Sequence, residues 1–280
     1  MVCLQSLASL LSERKMLLRV TSTVLPCHGS VFQQSRIASF VVIQNVKKFS
    51  TDTTSELNNT RWAAMWDAGI APGQLFDAQT ASPLLSKFIK DNRIPTGRAL
   101  VPGCGRGYDV TALATPDRYV LGLDIAEKAV IAARERRDAL PADQCASKEN
   151  ADFQATSFFE VDVTDSNKKF DFIYDYTFLC ALDPSVRKNW AGQMARLTKP
   201  NGELLTLIFP IRPPDEKGPP FQVSLELYKE LLLPVGFECL ELDLLPPELC
   251  HEGRDGSEVE SGKGLRRFMG TSGIGRWRKL

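Results

Sequence analysis

The stretch Arg98-Ala99-Leu100-Val101-Pro102-Gly103-Cys104-Gly105-Arg106-Gly107 decides the fold. A short apolar run meets three glycines in the pattern G-x-G-x-G. Glycine lets the backbone turn tightly and lets a ligand come closer than a Cβ would permit. Asp124 stands 21 residues beyond Gly103, at the end of a second apolar run, Tyr119–Leu123. A carboxylate in that place can accept both hydroxyls of an adenosine ribose. A glycine cluster alone is weak evidence. Glycines followed at this distance by an acid, each closing a strand, imply a nucleotide-like cofactor held by Gly103, Gly105 and Asp124.

The spacing then separates two cofactors. A dinucleotide site uses G-x-G-x-x-G, whose third glycine lets the helix pack close and receive a pyrophosphate. Here Tyr108 holds that third position, and the helix behind it, Val110–Ala114, stops before Pro116. A sulfonium with an amino-acid tail needs no pyrophosphate site, so the pattern favours S-adenosylmethionine over NAD. Asp162, read as the end of a third strand, supplies an acceptor for the adenine amino group. An NAD-linked oxidoreductase and a non-catalytic binding scaffold are the other classes open at this point.

Outward from the glycine loop, strands and helices alternate. Ala126, Ala129, Val130 and Ala133 recur at helical spacing, and Pro141–Asp152 reads as a polar surface loop. Ser157–Val161 and Phe170–Tyr174 are the next expected strands. Asp183-Pro184 marks a helix start, because Asp can cap free amides and Pro fits the first helical position. Glu203–Phe209, Phe237–Leu245 and Gly275–Leu280 are further strands, and Ser224–Leu233 a helix. The pattern predicts an α/β fold, a mostly parallel sheet with helices on both faces. Pro210–Pro220 and His251–Gly264 read as loops, the second mobile, with His251 exposed to solvent.

Composition narrows the partners. Lys+Arg 34 balance Asp+Glu 34, which excludes a bulk electrostatic grip on nucleic acid. No apolar run approaches the roughly 20 residues that span a bilayer. Seven scattered cysteines and two histidines suggest reduced thiols and no metal site. Residues 1–51 hold six bases and one acid and are rich in Ser and Thr. That is the composition of a mitochondrial transit peptide, with Lys47-Lys48-Phe49-Ser50 resembling a processing site. The expected organisation is a leader or tail over 1–50, a lid and helix over 51–97, and a core over 98–280. A cytoplasmic location is the alternative, and a monomer acting on a small molecule is expected.

Eight blocks in order carry a more specific signal. They are Trp62–Gly69, Ala99–Asp109, Gly122–Ile125, Tyr174–Ala181, Lys199–Leu204, Gly218–Phe221, Pro234–Phe237 and Gly275–Lys279. Together, over roughly residues 60–280, they resemble the thiol and halide methyltransferases of the thiopurine methyltransferase superfamily. The resemblance implies a class I methyltransferase, a Rossmann-like seven-stranded sheet with an antiparallel last strand and an N-terminal lid. It implies cofactor contacts at Trp62, Trp66, Gly103, Gly105, Asp124, Asp162, Val163 and Tyr176. Where the family often has a third lid Trp, this chain has Gly73, and Phe76 is the nearest substitute.

The chemistry implied is in-line methyl transfer from the sulfonium of S-adenosylmethionine to a small thiol, bisulfide, thiocyanate or halide. A thiolate, bisulfide, thiocyanate or halide needs no proton removed by the enzyme, which suits a chain whose only histidine beyond residue 50 is His251. Alignment and water exclusion then carry catalysis. Tyr108 and Tyr176 are candidates for orienting the acceptor, while Cys104 and Cys180 read as small buried hydrophobes. A relative on the same fold acting on a larger thiol or secondary metabolite is the alternative.

Overall fold

Strand β1 (Gly97–Pro102) is buried on both faces, so successive side chains must be covered from opposite sides. The computed structural model describes residues 53–213, 218–256 and 270–280. In it, Ala99 and Val101 pack into one hydrophobic layer and Leu100 into the other. Helices α1 (Thr53–Asp67) and α2 (Pro83–Lys90) precede β1, and α3 (Tyr108–Leu113) follows the glycine loop. Next come β2 (Arg118–Asp124), α4 (Glu127–Ala139), β3 (Ala151–Ala155) and β4 (Phe170–Tyr176). Helix α5 (Arg187–Leu197), β5 (Thr198–Ile211), α6 (Leu225–Leu232), β6 (Phe237–Leu244) and β7 (Thr271–Lys279) complete the order.

The seven strands form one sheet in the order β3-β2-β1-β4-β5-β7-β6, with β7 antiparallel to both neighbours. The expected fold class is therefore the observed one. Leu84, Phe88, Val110 and Val130 from α2, α3 and α4 cover one face. Trp190, Met194, Tyr228 and Leu232 from α5 and α6 cover the other. Each such side chain, taken fully out of water, contributes about 1.5–3 kcal/mol. Caps set the helix starts: the Ser82 hydroxyl accepts from Leu85 N at 3.0 Å, and Ser224 accepts from Leu227 N at 3.1 Å. Asp183 caps a single turn, Pro184–Val186, which runs directly into α5.

Several boundaries differ from those read in the sequence. The third strand is Ala151–Ala155, which begins within the last two residues of what read as a loop, and Ser157–Val161 is no strand. There the Ser157 hydroxyl accepts from Phe159 N at 3.3 Å and starts a short turn. Strands β5 and β7 are longer than expected at both ends or at their start. Of the segment 51–97, read as lid and helix, α2 joins the layer that covers the sheet. Residues 1–50 and most of the loop after His251 lie outside the described residues, so the leader and processing site do too. Among the described residues no helix is long and apolar enough to cross a membrane.

Candidate active site

The strand order reverses between β1 and β4, and in open α/β sheets that point leaves a crevice beyond the strand ends. A cleft of about 360 Å³ opens there, walled by the ends of β1, β2 and β4 and by the lid. The turn after β1 needs glycine: Gly103 and Gly105 have φ of +61° and +51°, where an L side chain is strained. Gly107, with φ of +72°, needs glycine for the same reason, and a Cβ on it would also come within 2.4 Å of the Phe153 ring.

Asp124 closes β2 and holds this turn. Its Oδ2 accepts from Gly105 N at 3.0 Å and its Oδ1 from Ala126 N at 2.9 Å. Burial pushes the carboxyl's pKa up, and the backbone N–H groups pull it back. Each oxygen keeps a second lone pair, so the group can still accept two ribose hydroxyls.

The lid is aromatic. Phe76 lies edge-on to Trp62 at 5.4 Å and tilted against Trp66 at 6.1 Å between ring centres, while the Gln79 side chain takes the space beside Gly73. All three rings line the cleft. Lid residue Asp77 accepts from Arg106 Nε at 2.7 Å and from the Tyr108 hydroxyl at 3.0 Å. The Tyr108 hydroxyl, expected to orient an acceptor, is thus committed to the lid, and its pKa is pushed up to about 12, chiefly by burial.

The opposite end of the cleft is built around Tyr176, the last residue of β4. Its ring stacks on His251 with centres 5.6 Å apart and planes 12° apart, and its hydroxyl accepts from Arg254. His251 is therefore half-buried in the cleft, not solvent-exposed as the sequence suggested. Burial, with the Arg254 charge beside it, pushes its imidazole down to about 4. Asp109 also lines the cleft; its carboxylate accepts from Ser82 N at 3.0 Å, and burial pushes it up to about 6.

The structure brings together Trp62, Trp66, Gly103, Gly105, Asp124 and Tyr176, with Tyr108 at the lid edge. It does not bring Asp162 and Val163 there. Because β3 ends at Ala155, Asp162 falls on the exposed surface and Val163 in the core, and Thr156–Phe159 take their place in the wall. Sequence reasoning missed Asp109, and it missed Arg254 within a charged loop that carries no local signal.

The donor set fits S-adenosylmethionine. Asp124 suits the ribose, the glycine turn leaves room for close approach, and aromatic faces attract a sulfonium cation. Among the described residues no cluster of His, Cys, Asp and Glu could hold a metal ion. Residues 57–255 match the family model of thiopurine S-methyltransferase. The chain belongs to that family. This methyltransferase is 40% identical over 227 residues to a probable thiol methyltransferase 2 of Arabidopsis thaliana, covering 80% of this chain and 87% of that protein. It is 35% identical over 237 residues to thiocyanate methyltransferase 1 of Brassica oleracea, covering 85% and 91%. Among solved structures it resembles magnesium protoporphyrin IX methyltransferase from Synechocystis with bound S-adenosylmethionine. The TM-score is 0.53 at 15% identity, covering 83% of this chain and 99% of that one, a likeness of fold alone. The family methyltransferase is thus an S-adenosylmethionine-dependent enzyme.

Proposed function

We propose that this methyltransferase methylates small thiols or soft inorganic anions, such as bisulfide, thiocyanate or iodide, without a general base. The observation that carries the reading is His251. It is the imidazole beside Tyr176, and at about 4 its basicity is too low to take a proton from a thiol. The acceptor then arrives as an anion. The thiol and thiocyanate methyltransferases to which the chain is similar support that acceptor class.

When bound, the sulfonium supplies the activated methyl group and its leaving thioether. The residues of this chain supply position. Asp124 holds the ribose, Gly103 and Gly105 admit the cofactor, and Trp62, Trp66 and Phe76 close over it and exclude water. Tyr176 orients the acceptor, and alignment of this kind is worth up to roughly 7–11 kcal/mol.

The test is a screen of iodide, thiocyanate, bisulfide and aromatic thiols with a labelled methyl donor. An anionic acceptor should give a kcat/KM nearly flat between about pH 6 and 9, whereas a thiol should gain about tenfold per unit below its pKa. A bell-shaped profile with thiocyanate would reveal an essential titrating group and overturn the reading.

We also propose that residues 1–50 direct the chain to mitochondria, on their basic, acid-poor composition. A fluorescent reporter carrying these residues should enter the organelle; a cytosolic reporter would refute the assignment.

A further inference from the structure

Strand β4 turns alternate side chains to opposite faces. Tyr174 and Tyr176 pack into the layer of α2 and α3, whereas Asp175 faces α5 and is fully buried. A buried carboxylate is costly unless it is paired, and among the described residues no cation pairs with Asp175. Its Oδ2 accepts from Trp190 Nε1 at 2.8 Å and its Oδ1 from Leu179 N at 3.3 Å. Burial pushes its pKa up to about 6, and these two donors, with the Phe178 amide, pull it back. Methyl transfer as derived above does not use this group.

What it holds is a strained turn. Thr177 has φ of +57°, which a β-branched residue adopts only where its surroundings enforce it. The turn leads into Phe178, whose ring leans against Gly103: a Cβ on that glycine would come within 2.6 Å of it. The same ring lies edge-on to Phe158 at 5.2 Å between centres, and both line the cleft. Contacts thus run without a break from the core carboxylate to the glycine turn.

We propose that Asp175 is a positioning residue: by holding the amides of Phe178 and Leu179 it fixes the Phe178 ring against Gly103, and so sets the seat of S-adenosylmethionine. The inference concerns the donor side of the cleft and does not depend on the acceptor class proposed above. A purely structural role is the rival. A polar pair kept for stability alone can be exchanged for apolar residues of similar size, often at no cost. Apolar residues cannot accept from the amides of the turn.

The test uses that difference. S-adenosylhomocysteine is titrated calorimetrically into wild type and variants, each shown by thermal denaturation to be folded well above the temperature of the titration. Trp190→Phe alone leaves the turn contact in place, and its affinity should stay within about twofold of wild type. Asp175→Leu combined with Trp190→Phe makes the pair apolar and should bind at least about tenfold more weakly. Asp175→Asn combined with Trp190→Phe leaves an amide oxygen free to accept from the turn, and should recover most of the loss. Wild-type affinity in the leucine pair, or an equal loss in the leucine and asparagine pairs, would overturn the proposal. Should the leucine pair not fold, Phe178→Leu decides. Removing the ring that leans on Gly103 should weaken binding by about tenfold, and an unchanged affinity would overturn the proposal. Because the titration needs no turnover, a failed acceptor screen would leave this test standing.

Discussion

Asp77 of the lid and Arg106 of the glycine turn meet at 2.7 Å, with 3% and 14% of their side chains exposed. The same carboxylate accepts from the Tyr108 hydroxyl and from the amides of Gly73 and Gln79. Arg106 also donates to the Ile70 carbonyl and lies over the Trp66 ring. One acid thus ties the lid to the turn that the cofactor must approach.

Removing that charge leaves a guanidinium largely buried and unpaired. Asp77→Asn should cost about 3 kcal/mol and lower the unfolding temperature by roughly 5–10 °C. Thermal denaturation of the two proteins checks this. An unchanged midpoint would mean that the pair contributes nothing net.

Phe76 joins the two lid tryptophans, and each aromatic pair of this geometry is worth roughly 0.5–1.5 kcal/mol beyond area burial. Phe76→Ala should therefore raise the KM for S-adenosylmethionine by about tenfold. Phe76→Trp should restore most of it. Steady-state kinetics at saturating acceptor read the effect, and a KM unmoved in the alanine variant would refute the lid role.

Asp124→Asn should abolish measurable cofactor binding, because charge-assisted hydrogen bonds are worth roughly 1.5–3 kcal/mol each. Since Asp124 also holds Gly105 N and Ala126 N, some loss of stability should accompany it. Calorimetric titration alongside thermal denaturation separates the effects. Retained affinity would disprove the ribose assignment.

The buried cleft groups make opposing demands on pH. His251 is pushed from 6.5 to about 4, so between those values the unfolded chain binds more protons. Its contribution to stability is complete above pH 6.5 and is lost as pH falls toward 4. Asp109, and beneath the cleft the core carboxylate of Asp175 that accepts from Trp190 Nε1, are pushed up from 3.8 to about 6 and act in the opposite sense: their ionisation costs stability as pH rises through that window. His251→Phe removes only the first term. Its melting temperature should fall less than that of wild type between pH 6.5 and 4. Superimposable curves would show that His251 does not titrate there.

The glycine turn, Asp124 and the central strands were legible in the sequence, because strands buried on both faces read as apolar runs and the turn needs glycine. Strand β3 was not. Ala151-Asp152-Phe153-Gln154-Ala155 lies at the sheet edge with only alternate residues buried, whereas the aromatic pair Phe158-Phe159 looks more strand-like. Hydrogen bonding by Ser157 overrides that propensity, and the error carried Asp162 into the wrong wall. His251 and Arg254 were unreadable for another reason. Their burial depends on Tyr176 and Phe76, far away in the chain, and no neighbour in sequence announces it.

The position of β7 governs the order in which the sheet can be completed during synthesis. Strands β1 to β5 emerge as a parallel set, and with them the glycine turn, Asp124 and Tyr176. Strand β6 emerges next but has no berth, since among the described residues its sheet neighbour is β7 alone. Until residues beyond Thr271 are made, β5 presents a bare edge carrying Leu205 and Leu207, open to wrong pairing. A nascent chain therefore carries most of its cofactor-binding wall before it is safe from aggregation, and cofactor captured at that stage would stabilise it by mass action.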